Sequence, residues 1–271
     1  QDKTAYFGWC NGLDVAIVHY RSRGADVTPE VDAFQVLRGQ AHLIRFYGIS
    51  RHGEETCIVV ELAEQGSLDN VLDNNRAELL QLAPHQLFDI QHAILVQVCS
   101  GMAAMAETGI THRDLASRNV MVSKFDISRG SAGIWLKVSD FGLSRPGGVY
   151  YSGNNMMPIR WCAPESLRRR RFSEASDVWA FCVFAWEVLS LCYRIPYGEE
   201  DDDNKVKRKV EEGTLRLAAP QHCDPPHSRR QPDEQRAANN LPARTRAGDH
   251  PHGLSTPGTS GARPTRASPS P

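Results

Sequence analysis

The hydrophobic pattern of the chain changes once along its length, and this change limits the folds that the chain can adopt. Before Glu61 the apolar residues form short runs rich in β-branched side chains, at residues 15–18, 43–47 and 57–60, and such runs predict strands. After Ser67 the apolar residues recur with helical spacing. A strand-rich part followed by a helix-rich part predicts an α+β fold with a cleft where the two parts meet.

Three segments predict helices. Residues 29–38 begin with Pro and Glu, which favour the first turn of a helix. A long helix is expected to end before Thr111, and its apolar stripe consists of Ile94, Val98, Met102 and Met105. Residues 174–191 predict a further apolar helix. The longest apolar stretch, residues 178–192, is interrupted by Glu187 and is too short to span a bilayer. Neither a signal peptide nor a membrane span is expected.

Residues 221–271 differ in composition from the rest of the chain. They contain no Phe, Tyr, Trp, Ile, Val or Met, and Pro, Arg, Ser and Gly dominate. Such a segment buries too little apolar surface to offset its ordering entropy, so it is predicted to be disordered. We therefore expect a folded domain over residues 1–223 and a disordered tail over residues 224–271.

Charge and cysteine content exclude several classes of protein. The chain has 31 Lys and Arg against 32 Asp and Glu, so it lacks the basic excess of a general nucleic-acid binder. Its 7 Cys include no C-x-x-C pair, which predicts reduced thiols of an intracellular chain and argues against a disulfide framework or a zinc site.

Three polar residues carry the candidate chemistry. Asp114 and Asn119 are five positions apart, so a tight loop can present both to one point, and Asp140 follows a predicted strand over residues 135–138. Mg²⁺ prefers oxygen ligands and keeps phosphates in its coordination shell, so an Asp carboxylate and an Asn amide oxygen suit it. A further carboxylate that binds no metal can accept a proton from an attacking hydroxyl.

In these motifs the chain resembles the eukaryotic protein kinases. That family carries H-R-D-x-x-x-x-N, D-F-G and A-P-E in this order. The matching segments here are residues 112–119, Asp140-Phe141-Gly142 and Ala163-Pro164-Glu165. The resemblance implies a bilobal α+β fold, with a small β-rich N-terminal lobe, a larger helical C-terminal lobe and the active site in the cleft. It also implies Asp114 as the proton acceptor and Asn119 and Asp140 as the Mg²⁺ ligands.

The resemblance is closest to the tyrosine kinases. Arg118, four residues after Asp114, is a marker of that group, and Ala116 stands where serine/threonine kinases usually have Lys. Residues 157–161 resemble the tyrosine-kinase substrate platform, in which Pro158 leaves room for a phenol side chain. Arg118 is therefore expected near the γ-phosphate and the substrate.

Two tyrosines suggest regulation by phosphorylation. Tyr150 and Tyr151 lie midway between the D-F-G and A-P-E motifs, in the segment that the resemblance identifies as the activation loop. A phosphate there would add about −1.5 to −2 units of charge, with which Arg113 could pair. Two exposed tyrosines in a flexible loop are the alternative interpretation.

The resemblance also implies an adenine site. Val60-Glu61-Leu62-Ala63 resembles the gatekeeper and hinge, whose backbone would bind the base. Ala16 would lie above the adenine and Met121 below it. Ordinary core packing is the alternative interpretation of these positions.

One family position is different here. The third strand of a kinase normally reads V-A-I-K, and its Lys holds the α and β phosphates and pairs with a helical Glu. This chain has Val15-Ala16-Ile17-Val18, and alignment places Val31 at the position of that Glu, with Glu30 next to it. Loss of one preorganised charge typically lowers the rate about 10²–10³-fold.

Lys3 is a candidate replacement for the missing lysine. Lys3-Thr4-Ala5-Tyr6 resembles the with-no-lysine kinases, which place their phosphate-binding Lys at the corresponding position before the second strand. The small side chains of Ala16 and Val18 would leave space for the Lys3 side chain to enter the cleft. An exposed lysine near the start of the chain is the alternative.

The resemblance therefore implies a protein tyrosine kinase that uses ATP and Mg²⁺ and acts on protein substrates with tyrosine acceptors. The domain is expected in the cytoplasm or on the cytoplasmic side of a membrane, without nucleic-acid or membrane contacts of its own. Two alternatives stay open. One is a pseudokinase scaffold or binding module, motivated by Val18, and the other is a serine/threonine or dual-specificity kinase.

Overall fold

The computed structural model describes residues 3–20, 26–52, 55–146, 149–151 and 157–220. The strands are β1 (Lys3–Cys10), β2 (Leu13–Tyr20), β3 (Phe46–His52), β4 (Glu55–Glu61), β5 (Ile110–Thr111), β6 (Val120–Phe125), β7 (Ile134–Val138), β8 (Arg145–Pro146), β9 (Val149–Tyr151) and β10 (Arg171–Ser173). The helices are α1 (Thr28–Val36), α2 (Leu68–Asn74), α3 (Arg76–Leu79), α4 (Pro84–Glu107), α5 (Pro164–Arg169), α6 (Glu174–Leu189) and α7 (Asp203–Glu212). A β-rich part up to Glu61 and a helix-rich part after it confirm the predicted α+β fold.

The β-rich part is one antiparallel sheet with the strand order β1-β2-β4-β3. β1 and β2 are joined by Asn11 and Gly12, whose φ angles of 50° and 85° suit the left-handed turn that matches the twist of a hairpin. This two-residue turn fixes the register, so that Lys3 lies opposite Tyr20. Directly opposed residues share a face of the sheet, and Lys3 therefore lies on the face that carries Tyr20.

Helix α1 packs its buried side under this sheet. It covers Thr28–Val36, two residues shorter at its C-terminal end than the predicted 29–38. Phe34 of α1 stacks on Phe46 of β3, with ring centroids 5.0 Å apart. The aromatic contact fixes the position of α1 relative to the sheet.

The strand predicted at residues 43–47 is only partly correct. β3 begins at Phe46, while Leu43 forms an isolated bridge with Val138 and the amide of Ile44 donates to the carbonyl of Val138 at 2.9 Å. Leu43 and Ile44 therefore bond to the end of β7 in the helical part, and they tie the two parts together.

Helix α4 is the central helix of the larger part. Its buried stripe packs against β7 and α6, and consists of Leu87, Ile90, Ile94, Val98, Ala104 and Met105. A Cβ atom placed on Gly101 would lie 2.7 Å from the carbonyl oxygen of His42, so glycine permits the close approach of this loop. Among the described helices, α4 alone is long and apolar enough to cross a membrane, and in this fold nearly half of that stretch is buried in the domain.

The predicted disordered tail, residues 224–271, lies outside the described residues. The boundary at residue 223 stays a prediction.

Candidate active site

A cavity opens between the four-stranded sheet and strand β6. Its lining includes seven residues that the resemblance assigns to nucleotide binding: Lys3, Ala16, Val60, Glu61, Ala63, Met121 and Asp140. Ala5, which no motif indicated, also lines the cavity because it lies opposite Val18 in the β1–β2 register.

The loop that carries Asp114 is closed by its own hydrogen bonds. The side-chain amide of Asn119 donates to the backbone carbonyl of Asp114 at 2.7 Å, and the Arg118 guanidinium donates to the Asp114 carboxylate at 2.5 Å. Burial raises the pKa of Asp114, Arg118 opposes the rise, and the neighbouring Asp140 carboxylate adds to it. The structure thus brings Asp114, Arg118 and Asn119 together in one loop.

Asp177, near the start of α6, supports this loop from below. Its carboxylate accepts the backbone amides of His112 at 2.6 Å and Arg113 at 2.9 Å. Arg113 has a φ of 73°, a conformation that a non-glycine residue adopts only when its surroundings hold it there. Asp177 therefore fixes the backbone that leads into Asp114.

Asp140 is joined to the catalytic loop through its preceding residue. The Ser139 amide and hydroxyl both donate to the Asn119 carbonyl, each at 2.9 Å. Asp140 has a left-handed φ of 61°, and its carboxylate accepts the amide of Gly142 at 3.3 Å. The following Phe141 is fully buried and meets Phe34 of α1 edge to face at 4.9 Å. Asp140 thereby faces the cavity while Phe141 anchors the turn.

Lys3 reaches the centre of the cavity from β1. Its Nζ lies 2.7 Å from Oδ1 of Asp140 and 3.0 Å from Oε2 of Glu30. Desolvation alone would lower the pKa of Lys3, but the two carboxylates raise it well above the usual 10.5. Desolvation likewise would raise the pKa of Asp140, and the Lys3 ammonium lowers it to about 2. Both groups are therefore charged at neutral pH.

The helical glutamate is Glu30, and the alignment that placed Val31 at this position is wrong. Glu30 is 6% exposed and faces Lys3, whereas the neighbouring Val31 packs in the hydrophobic core. Burial raises the pKa of Glu30, partly offset by Lys3. Tyr20 donates its phenol proton to this carboxylate, and burial keeps the phenol protonated by raising the pKa of Tyr20.

Glu187 of α6 is a site residue that sequence reasoning treated only as an interruption of an apolar stretch. Its carboxylate accepts the amide and hydroxyl of Ser117, at 3.0 and 2.8 Å, and the indole of Trp161 at 3.0 Å. Arg118 lies over the Trp161 ring at 4.4 Å. Glu187 thus joins the catalytic loop to residues 157–161.

The predicted regulatory residues are only partly described. Arg113 donates to the Leu143 carbonyl at 2.7 Å and lies 4.5 Å from the centroid of the Phe172 ring. The backbone of Tyr150 pairs with Phe172 and that of Tyr151 with Arg171, while the side chains of both tyrosines lie outside the described part. The structure places the strand β9 beside β10, and the pairing of Arg113 with a phosphorylated tyrosine stays a prediction.

The model of the family "protein tyrosine and serine/threonine kinase" matches residues 15–229 of the chain. The match includes the catalytic loop and most of the cavity lining described above. The chain belongs to this family. The kinase domain has the bilobal α+β fold expected of it, with the β-rich sheet as the smaller lobe and the helical part as the larger one.

Three ephrin receptors are among the relatives of this kinase domain. It is 38% identical to ephrin type-A receptor 1 of Mus musculus over 68% of the chain, 39% identical to ephrin type-A receptor 8 of Homo sapiens over 69%, and 35% identical to ephrin type-A receptor 7 of Gallus gallus over 67%. The aligned region covers 18%, 17% and 17% of these receptors, respectively. The chain therefore corresponds to less than a fifth of the length of these relatives.

Proposed function

We propose that the chain is a protein tyrosine kinase, which transfers the γ-phosphate of ATP to tyrosine residues of proteins. The observation that carries the proposal is the convergence of Lys3, Glu30 and Asp140 in a cavity next to the hydrogen-bonded loop of Asp114. Membership of the kinase family and similarity to the ephrin receptors support it.

The apolar half of the cavity suits adenine. Ala5 and Ala16 of the sheet lie on one side and Met121 of β6 lines the cavity as well, so a flat base can insert between them. The Glu61 side chain is engaged with Lys137 at 2.7 Å, which leaves the hinge backbone of residues 61–63 as the group that would bond the base. Lys3 would contact the α and β phosphates.

The residues present fit a magnesium ion. The Asn119 amide nitrogen bonds to the Asp114 carbonyl, which leaves its oxygen as a ligand, and Asp140 is a charged carboxylate. Two oxygen ligands from the protein, completed by phosphates and water, are the coordination that Mg²⁺ favours. Asn119 and Asp140 would hold this ion, which would offset the charge that develops on the phosphates during transfer.

Asp114 is the proton acceptor of the proposed reaction. Burial raises the pKa of its carboxyl, which brings the base closer to the working pH, and Arg118 beside it opposes this rise. Asp114 would orient the tyrosine hydroxyl and take its proton as the oxygen attacks the γ-phosphorus. Arg118, stacked on Trp161, would lie between the phosphate and the substrate platform.

Tyrosine specificity is supported by Arg118 and Pro158, and regulation by the position of the two tyrosines. Pro158 begins a short turn that ends at Trp161, and Glu187 holds this turn against the catalytic loop. We propose that phosphorylation of Tyr150 or Tyr151 strengthens the β9–β10 pairing and that Arg113, which lies on Phe172 of β10, contributes to it. By analogy with the receptor relatives, the domain would act on the cytoplasmic side of a membrane.

The direct test is transfer of phosphate to a Glu-Tyr copolymer by the purified chain with Mg-ATP. Asp114→Asn is the matched control, because it keeps the shape of the side chain and removes the base. Phosphotyrosine formation by the wild type, lowered at least about 10²-fold in the variant, is the expected result. Phosphoserine alone would assign the chain to the serine/threonine class, and transfer no greater than in the variant would favour the pseudokinase scaffold.

A further inference from the structure

Tyr20 contacts both members of the Lys3–Glu30 ion pair. Its phenol donates to the Glu30 carboxylate, and the Lys3 ammonium lies 5.1 Å from the centroid of its ring. The Tyr20 side chain is buried at 3% exposure. No motif includes this residue, because its contacts depend on the pairing of β1 with β2 and on the packing of α1.

A lysine on β1 needs such a partner. The Lys side chain is long and has several rotatable bonds, and its ammonium is held here by one carboxylate on each side. With phosphates and metal in the cleft, Asp140 would serve as a metal ligand, and Glu30 would be the carboxylate that keeps Lys3 in place.

We propose that Tyr20 is a positioning residue for phosphate transfer, which holds Glu30 with its hydroxyl and Lys3 with its ring so that the ammonium faces the phosphates. The proposal rests on the proposed function of the cleft. The hydroxyl and the ring of Tyr20 have separate roles. Tyr20→Phe removes the bond to Glu30 and keeps the ring, whereas Tyr20→Leu removes both.

The first measurement needs no catalysis. Nucleotide-free protein is treated with an amine-reactive acetylating ester, and mass spectrometry follows the modification rate of Lys3. We expect this rate to rise about 3-fold in Tyr20→Phe, which loses the hydrogen bond to a charged group, and about 10-fold in Tyr20→Leu, which also loses the cation–π contact. Tyr6→Phe, an exposed tyrosine of the same hairpin, is the control and should leave the rate unchanged. An unchanged rate in both Tyr20 variants overturns the proposal, whatever the chain catalyses.

The second measurement separates positioning from a structural role. kcat and KM for ATP are determined for Tyr20→Phe in the wild type and in the Lys3→Met background. In the presence of Lys3 we expect kcat/KM to fall about 10-fold, mostly through kcat, and in its absence less than about 2-fold, because Tyr20 acts through Lys3. Equal losses in both backgrounds mean that Tyr20 only stabilises the lobe, and the proposal then fails.

The two proposals can fail separately. If the wild type binds no magnesium nucleotide, the proposed function falls, and with it the role of Tyr20 in the reaction. If the wild type is active but Lys3→Met is equally active, the kinase assignment stands and the role of Tyr20 is overturned. Tyr20→Phe keeps the buried ring, so the test does not depend on the more disruptive leucine variant.

Discussion

The ammonium of Lys3 lies between Glu30 and Asp140, although its backbone belongs to a different strand from the one that normally carries this charge. What matters for phosphate binding is the position of the Nζ atom and the charges around it. Val18 lies on the same face of the sheet, opposite Ala5, and lines the same cavity. A lysine side chain could therefore enter the cavity from either strand.

This equivalence predicts a rescue. Lys3→Met should lower kcat/KM by about 10²–10³-fold, and adding Val18→Lys should recover at least about 10-fold, because the new ammonium enters the cavity beside Glu30. His19→Lys in the same background is the matched control, since residue 19 points to the other face of β2. Phosphotransfer kinetics of the three variants check the prediction. Recovery by the residue 19 lysine, or none by the residue 18 lysine, would contradict it.

For single residues, the sequence predicts contacts between residues that are close together in the chain. Asp114 and Asn119 lie in one short loop, so their spacing alone indicated that they meet. Lys3 could be proposed because Val18 left an obvious gap in a known pattern. The sequence alignment places the glutamate one residue away, at Val31, because it runs through loops of variable length. Both side chains are buried, and only the contact with Lys3 distinguishes Glu30 from Val31.

Single elements of the fold depend on close packing, and α4 is an example. Gly101→Ala would raise the helix propensity of α4, yet the new Cβ would lie 2.7 Å from the His42 carbonyl and close to Leu43. We expect the clash to dominate and the free energy of unfolding to fall by about 1–3 kcal/mol. Ser100→Ala, on the exposed side of the same helix, should change it by less than about 0.5 kcal/mol. Denaturant unfolding of both variants checks this, and equal stabilities would argue against it.

Helix α6 contains a buried carboxyl whose titration should be visible in the stability. Burial raises the pKa of Glu187 above its ordinary 4.5, and the bonds from Trp161 and Ser117 only partly oppose this. Between 4.5 and the raised value the folded state binds more protons than the unfolded state. The contribution of Glu187 is therefore full below that window and is lost as the pH rises through it.

Glu187→Gln should remove this contribution to the pH dependence, because an amide keeps the size of the side chain and an acceptor oxygen but does not titrate. The free energy of unfolding, measured from a pH of about 4.5 to 8, should fall less steeply in the variant than in the wild type. Glu107→Gln, exposed at the end of α4, is the control and should follow the wild type. Parallel curves for the wild type and Glu187→Gln would refute the assignment.

Local sequence patterns predict which helices and strands are present, but they do not predict where each one begins and ends. The β-branched runs and the stripe of α4 were sufficient to predict β2, β4 and α4. The segment at residues 43–47 was assigned wholly to a strand because Leu43 and Ile44 are apolar, but they bond to Val138 in the other lobe. The Asn11-Gly12 dipeptide is typical of a two-residue hairpin turn. Such a turn determines the β1–β2 register, in which Lys3 lies opposite Tyr20.

For the whole molecule, ligand binding should stabilise both lobes at once, because the cavity is lined by residues of the sheet and of the helical part. A nucleotide that binds only the folded state at 100 times its Kd adds about 2.7 kcal/mol. We expect Mg-ADP to raise Tm by about 5–10 °C, and a chelator to remove most of that increase.

Asp140→Asn should lose the magnesium-dependent part of this increase, since the carboxylate that would hold the ion is gone. Asp32→Asn, exposed on α1, is the control and should show the full increase. Thermal unfolding with Mg-ADP and with ADP plus chelator measures the difference. The same shift with and without the metal, or a full shift in Asp140→Asn, would be evidence against the proposed ligand set.

The class of the fold and the location of the cleft could be predicted because motifs from both lobes appear in a fixed order. The contacts between elements that are distant in the sequence could not be predicted. Glu187 with Ser117 and Trp161, and Tyr20 with Glu30, are pairs of buried polar groups whose partners are set by tertiary packing. A sequence pattern shows that such a residue interrupts an apolar run, but it does not show which group forms a hydrogen bond with its side chain.

Val18 also changes the surface that a small molecule would meet. In kinases with lysine at this position, the cavity wall there presents a cation, whereas here it is a methyl-bearing surface between Ala5 and Ile58. An inhibitor that places a methyl or chlorine substituent against Val18 would fit this wall, and in those other kinases it would have to desolvate an ammonium. Selective compounds for this chain can therefore be sought by growing an adenine-like scaffold toward Val18.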